Sequence, residues 1–327
     1  MNEIAAQVVS GALSTTKISR DERHFLERWQ PAGLTLFRRN FTECENNVLE
    51  LNLDIQGCYH SSHPALISID QEGGRVRRLR TVVTDPGAPL HIEERSTSPS
   101  ALQRIQEQQY HVGQQLKQLG VNVNFAPVLD IWSHDTHTAI GDRCWGEDSD
   151  HVTRRAKAAL IGLKKAGLAT CLKHFPGQGK ALFDTHMKGA QIELNRGELE
   201  EHLQPFRAMT HLADMVMISH ASYRAFGSTE ACFNPYILNH LLKSQLHFQG
   251  VVVSDDLTMG AIDQQSRGEV GVAAIAAGCD LLLVCEGLEH WQNLCEAISK
   301  EAAKSPVFSA RLHDAASKVK LLRRKFT

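Results

Sequence analysis

The chain has 327 residues, of which 42% are apolar and 22% charged, enough to bury a sizeable core as one large domain or two ordinary ones. With 35 Lys and Arg against 37 Asp and Glu, the formal net charge of -2 excludes the basic footprint of a protein built to hold nucleic acid or an anionic membrane. No apolar run approaches the ~20 residues of a membrane span. The N-terminal MNEIAAQVVSGALSTTK has no cationic-then-apolar leader pattern, and the 8 cysteines are scattered without a CxxC pair, so a reducing, cytoplasmic compartment is expected.

In chain order, apolar strand-like runs fall at 4–9, 33–37, 65–69, 121–125, 169–172, 214–218, 250–253 and 280–284. Amphipathic helical patterns fall between and after them at 19–29, 43–56, 101–119, 149–166, 196–211, 235–246, 267–277 and 289–303, with a last one at 309–325. The segment 80–100, with Pro86, Pro89 and Pro99, is expected as a loop rather than a domain boundary. Strict alternation of strand and helix argues for parallel strands joined by crossovers. Eight such units in one chain of 1–327 fit a single-domain α/β fold, the (β/α)8 TIM barrel. A doubly wound open sheet is the alternative, but no Gly-rich dinucleotide or phosphate loop is present.

The barrel reading places chemistry at the C-terminal ends of the strands. Polar and ionisable residues do recur there: Arg38–Asn40, Asp70–Gly74, Asn124–Asp130, Lys173–His174, His220 and Asp255–Asp256. The residues that enter the strands are mostly Gly, Ala and Pro.

The densest cluster is KHFPGQGKALFDTH at 173–186, a loop with three backbone breakers that closes on Asp184 and His186. A carboxylate beside an imidazole fixes its tautomer and supports its protonated form, which suits a general acid/base. A solvated turn is the plain alternative. A metal site built from His174, Asp184, His186 and His220 is another, although Lys173 would bring a competing cation. In VVVSDD at 251–256, one carboxylate is expected as a nucleophile and the other as a cap for the following turn; two caps would be the structural reading. In DQEGGRVRR at 70–78, Asp70 can accept sugar hydroxyls, and Gly73 and Gly74 allow backbone to approach a ligand. Arg75, Arg77 and Arg78 cannot all point inward, and a solvated basic loop is the alternative for RRN at 38–40 and RVRRLR at 75–80. In AIGDRCWGED, Arg143 is expected to bind ligand and Trp145 to pack.

Taken together, GLTLFRRN, ISIDQEGGRVRRL, NFAPVLDI, AIGDRCW, KHFPGQGKALFDTH and GVVVSDDLTMGAI followed by AGCDLLLVC resemble glycoside hydrolase family 3, in particular the single-domain bacterial β-N-acetylglucosaminidases of cell-wall recycling. The resemblance runs from about 33 to 285. It implies a retaining exo-hydrolase with Asp255 as nucleophile and His186, paired with Asp184, as acid/base. It implies Asp70, Arg78, Arg143, Lys173 and His174 as holders of the N-acetylglucosamine hydroxyls and acetamido group, with His220 lining the same pocket. It further implies a small-molecule substrate, N-acetylglucosaminyl-1,6-anhydro-N-acetylmuramic acid and its peptides, with a monomeric chain, no nucleic-acid or membrane partner, no metal and no organic cofactor.

The chain departs from the common KHFPGHG pattern at Gln178 and carries DTH in place of DSH. Because a histidine acid/base does not repel an incoming phosphate as a carboxylate would, a phosphorylase of the same fold is a rival reading. A non-catalytic sugar-binding protein and a metal-dependent barrel hydrolase are two others.

Overall fold

The structure is a computed structural model, and it describes residues 3–60, 62–180, 191–258 and 267–326. Eight parallel strands close into a barrel in chain order: β1 (Val9–Gly11), β2 (Gly33–Leu36), β3 (Leu66–Ile69), β4 (Val123–Asn124), β5 (Ala169–Phe175), β6 (Met215–Ile218), β7 (Val251–Asp256) and β8 (Leu281–Leu283), with β8 pairing back onto β1. Because both faces of a parallel strand are covered, these segments read as apolar runs rather than as alternations. Within them the pleat still sorts side chains. Leu66, Val123, Ala169, Cys171, Met215, Met217, Val251, Val253, Leu281 and Leu283 fill the barrel interior. Their neighbours Ile67, Ile69, Leu172, Val216, Val252 and Leu282 pack outward on the helices.

The helices start where local chemistry supplies caps. Ser19 and Glu22 form a capping box on the helix Arg20–Trp29, and Asn195 and Glu198 form one on Arg196–Met209. Ser98 caps Pro99–Gln118, with the proline in the first turn where its missing N–H costs nothing, and Asp148 caps Ser149–Lys165. Helix Arg267–Ala277 falls on the expected span, and Leu288–Lys304 starts one residue before it.

Several expectations change; the helix expected over 43–56 begins only at Val48. The run 4–9 is not a strand: Glu3–Ala6 is helical and β1 begins only at Val9. A short apolar run fits either state by periodicity alone, and here the two alanines favour the helix. The run 121–125 contributes only Val123–Asn124 to the sheet. The stretch Tyr236–Gln245 is a π-helix rather than an α-helix.

The last helix, Pro306–Lys325, closes the barrel from below. Val319, Leu322 and the following Phe326 join the interior cluster. Lys325 Nζ lies 2.6 Å from Asp214 Oδ1, and Arg323 Nε donates to the Pro64 carbonyl at 2.8 Å, both at strand entrances. One end of the barrel is thus sealed by packing, which leaves the other end for chemistry. No helix among the described residues is long and apolar enough to cross a membrane.

Candidate active site

The inward face of each long strand runs from apolar interior to polar rim in steps of two. In β3 the sequence Leu66, Ser68, Asp70 does this; in β5 it is Ala169, Cys171, Lys173; in β7 it is Val251, Val253, Asp255. The alternation therefore delivers Asp70, Lys173 and Asp255 to the same end of the barrel. There they line a cavity of about 410 Å³ with Phe37, Arg75, Arg78, Arg143, His174, Gln178 and Asp256. Met217, Phe125, Leu283 and Cys285 supply its apolar part.

An ionic network forms one wall. Lys173 Nζ lies 2.8 Å from Asp70 Oδ1 and 2.6 Å from Glu72 Oε1. Arg78 reaches the other Asp70 oxygen at 2.8 Å. Arg143 grips Glu72 with two parallel bonds, Nε to Oε2 and Nη2 to Oε1, each 2.8 Å. Burial alone would drive both carboxyls toward protonation. Lys173 and Arg78 outweigh it and hold Asp70 well below the usual carboxylate range. Arg143 and Lys173 likewise bring Glu72 down to about 2. The cations respond in kind: against the cost of burial, the Asp70 and Glu72 charges raise Lys173, Arg78 and Arg143. The wall is charged throughout the physiological range. It offers carboxylate acceptors and guanidinium and ammonium donors at fixed positions, which is what binding a ring of hydroxyls requires.

Three backbone carbonyls and Asp142 hold Arg75 beside this wall. Its Nη2 donates to Ala139 and Ile140 at 2.9 Å each and to Thr138 at 2.5 Å, while Nε donates to Asp142 Oδ1 at 2.6 Å. Arg77 pairs with Asp85 at 3.2 Å. The basic run is tied down, although Arg75 and Arg80 stay exposed: Arg75, Arg77 and Arg78 each have a carboxylate partner. Arg38 and Arg39 are also held, by Glu45 at 2.7 Å and by the Leu13 carbonyl at 3.0 Å.

His174 is oriented from behind. Asp130 Oδ2 accepts from Nδ1 at 2.7 Å, so that nitrogen carries the proton and Nε2 faces Arg143 Nη2 at 3.4 Å. The other Asp130 oxygen accepts the Gln178 backbone N–H at 2.7 Å, which ties the loop after β5 to the same carboxylate. Gly179 sits so close to the Ile131 carbonyl that a Cβ there would fall 1.9 Å from the oxygen.

The two carboxylates that end β7 divide their work. Asp256 Oδ1 accepts from Thr258 N at 3.0 Å, Thr258 Oγ1 at 2.7 Å and Cys285 N at 3.0 Å, capping the next turn and tying β7 to β8. Asp255 lines the cavity, and its Oδ1 accepts the Asp256 N–H at 2.8 Å.

Of the expected site residues, Asp70, Arg78, Arg143, Lys173, His174 and Asp255 all meet at this cavity. Asp184 and His186 lie outside the described residues. His220 is not among the residues that line the cavity. Its Nδ1 is 3.2 Å from Cys232 Sγ, and its Nε2 is 3.1 Å from the Asp256 carbonyl oxygen, so it acts behind the end of β7. His174 and His220 thus face different partners. Trp145 is buried, with the Arg155 guanidinium over its ring. Glu72 and Asp130 fall within the strand-end runs 70–74 and 124–130 noted in the sequence, but neither was given a role there. An acid directly before Gly-Gly, and one ending NFAPVLD, were the signals available, but neither reveals that it faces a cation or an imidazole from another strand.

The sequence model described as "Glycosyl hydrolase family 3 N terminal domain" matches residues 2–322. The chain belongs to glycoside hydrolase family 3. Among its relatives is a β-hexosaminidase of Methylococcus capsulatus, 34% identical over 90% of this chain and 87% of the relative. A family 3 β-N-acetylglucosaminidase from Paenibacillus superposes with a TM-score of 0.91 at 30% identity, covering 99% of this chain; the present chain spans 62% of that longer one. The NagZ structure from Neisseria gonorrhoeae superposes with a TM-score of 0.80 at 27% identity, covering 95% of this chain and 97% of NagZ. Family membership thus agrees with a closed barrel that carries its charged cavity at the C-terminal ends of the strands.

Proposed function

We propose that this family 3 glycoside hydrolase, of the β-N-acetylhexosaminidase class, is a retaining exo-β-N-acetylglucosaminidase. It removes terminal N-acetylglucosamine from anhydro-muropeptides during peptidoglycan recycling, acting as a cytoplasmic monomer whose chemistry needs no metal or organic cofactor. The observation that carries this reading is the pairing of a carboxylate at the end of β7, Asp255, with a buried wall of fixed donors and acceptors across a cavity of about 410 Å³.

Asp255 attacks the anomeric carbon, and the leaving oxygen takes a proton from His186. Water, deprotonated by the same imidazole, then releases the sugar from the covalent ester. Asp184 keeps the imidazole in the required tautomer. Asp70, held ionised by Lys173 and Arg78, accepts sugar hydroxyls. Lys173, Arg78 and Arg143 donate to hydroxyl and acetamido oxygens, and His174, fixed by Asp130, adds a further polar contact. Asp256 is committed to its cap and takes no part in the chemistry.

The test is to trap the intermediate. A slowly deglycosylating β-N-acetylglucosaminide should add one N-acetylglucosaminyl group to the intact protein, and the peptide that carries it should contain Asp255. A label on another residue would contradict the nucleophile assignment. Phosphate-dependent release of sugar 1-phosphate would replace hydrolysis by phosphorolysis. Comparing release from anhydro-muropeptides with release from chitin fragments tests the substrate.

A further inference from the structure

The segment after β6 carries a second cluster that the hydrolytic site does not use. The strand Gly227–Glu230 folds back antiparallel on Ser222–Tyr223, with Ser222 opposite Glu230, and the turn Ala231–Phe233 follows. This return brings His220, Glu230 and Cys232 together, with one ligand-type atom from each within 4.8 Å of the others. His220 and Cys232 are buried, and Glu230 is half-buried, which leaves an approach from its side.

We infer that His220, Glu230 and Cys232 form a binding site for a zinc-like divalent cation. The donor set, one imidazole, one thiolate and one carboxylate, is of the kind zinc accepts. Bond lengths near 2.0–2.3 Å at tetrahedral angles place neighbouring ligand atoms roughly 3.3–3.6 Å apart. His220 Nδ1 stands 3.2 Å from Cys232 Sγ and 3.8 Å from Glu230 Oε2, so small side-chain shifts seat an ion.

The tautomer is already set. His220 Nε2 donates its proton to the Asp256 carbonyl at 3.1 Å, which leaves the Nδ1 lone pair directed at the cluster. An imidazole whose far nitrogen is held by a carbonyl is the usual support for a metal ligand. Glu230 Oε2 is buried without a hydrogen-bond partner among the described residues, an acceptor that a cation would satisfy. In the ion-free protein, burial keeps the Cys232 thiol protonated and raises the Glu230 carboxyl. Binding therefore displaces the thiol proton to solvent, together with the Glu230 proton where it is present. The product is an electrically neutral site: one dication, one thiolate, one carboxylate and a neutral imidazole. The His220 ring so pinned also holds the Asp256 backbone, one residue from Asp255. The ion is thus a structural clamp behind the cavity that takes no part in the reaction, and the proposal does not depend on the substrate assigned to it.

The test uses Co²⁺ as a spectroscopic probe on the full chain after dialysis against a chelator. Wild type should bind one Co²⁺ with a near-ultraviolet thiolate-to-cobalt charge-transfer band, and Zn²⁺ should displace it. The band should vanish in Cys232→Ser and persist in Cys279→Ser, which removes a nearby buried thiol. Glu230→Gln, a milder change, should weaken Zn²⁺ binding by calorimetry about tenfold or more. No band in wild type, a band that survives Cys232→Ser (as binding to the exposed Cys44 would), or unchanged affinity in Glu230→Gln would each overturn the proposal.

Discussion

Lys173 Nζ lies 2.8 Å from Asp70 Oδ1, and the Lys173 side chain is only 2% exposed. The pair joins β5 to the residue that follows β3, and Glu72 completes it from the other side at 2.6 Å. A buried ammonium between the buried Glu72 and the partly exposed Asp70 holds because each charge is matched. Without the shared cation, Asp70 keeps only Arg78 and Glu72 only Arg143.

Lys173→Met should therefore destabilise the fold by about 1–3 kcal/mol, since Asp70 and Glu72 lose their shared cation but keep Arg78 and Arg143. Urea denaturation measures this. A loss below about 1 kcal/mol would mean that solvent reaches the wall.

Acid sensitivity should follow from Glu72. Its folded value of about 2 lies below its ordinary 4.5, so its contribution to stability is complete above about pH 4.5 and is lost as pH falls toward 2. Over that window it adds up to ~1.4 kcal/mol per pH unit to the slope of stability against pH. Glu72→Gln should be less stable at pH 7 and show a flatter slope below pH 4.5. An unchanged slope would remove Glu72 from the account.

The division of work between Asp255 and Asp256 predicts opposite phenotypes. Asp256→Ala loses the bonds from Thr258 N, Thr258 Oγ1 and Cys285 N, and should cost about 1–3 kcal/mol of stability. Asp255→Ala should leave the thermal midpoint within a few degrees of wild type. Differential scanning fluorimetry on the two proteins checks this directly.

Gly179→Ala should lower turnover. Its Cβ would fall 1.9 Å from the Ile131 carbonyl oxygen, so the loop that leads to Asp184 and His186 must shift. A fall of about tenfold or more in kcat with modest loss of stability is expected. Unchanged kcat would mean that this loop does not carry the acid/base.

Much of the barrel was legible because parallel strands are covered on both faces and show as apolar runs, while capped helices announce their starts. Asp70, Lys173 and Asp255 were legible because each ends such a run. The limits have physical causes. IAAQVV satisfies helix and strand alike, so β1 was placed too early. The small sheet of Gln191–Ile192, Ser222–Tyr223 and Gly227–Glu230 has strands too short to leave a period. Glu72 and Asp130 act through partners 71 and 44 residues away, and no local pattern records those pairings. His220 ends a strand like the others, yet both its nitrogens face protein groups behind β7.

Asp255 is proposed as the nucleophile of a hydrolase whose chemistry uses no metal. The most direct measurement is hydrolysis of a chromogenic β-N-acetylglucosaminide by wild type and Asp255→Ala, each with and without phosphate and EDTA. Wild-type turnover should not require phosphate and should survive EDTA, and the folded variant should fall by about 10³-fold or more. Substantial residual turnover in Asp255→Ala, or wild-type turnover that requires phosphate or is abolished by EDTA, would contradict it.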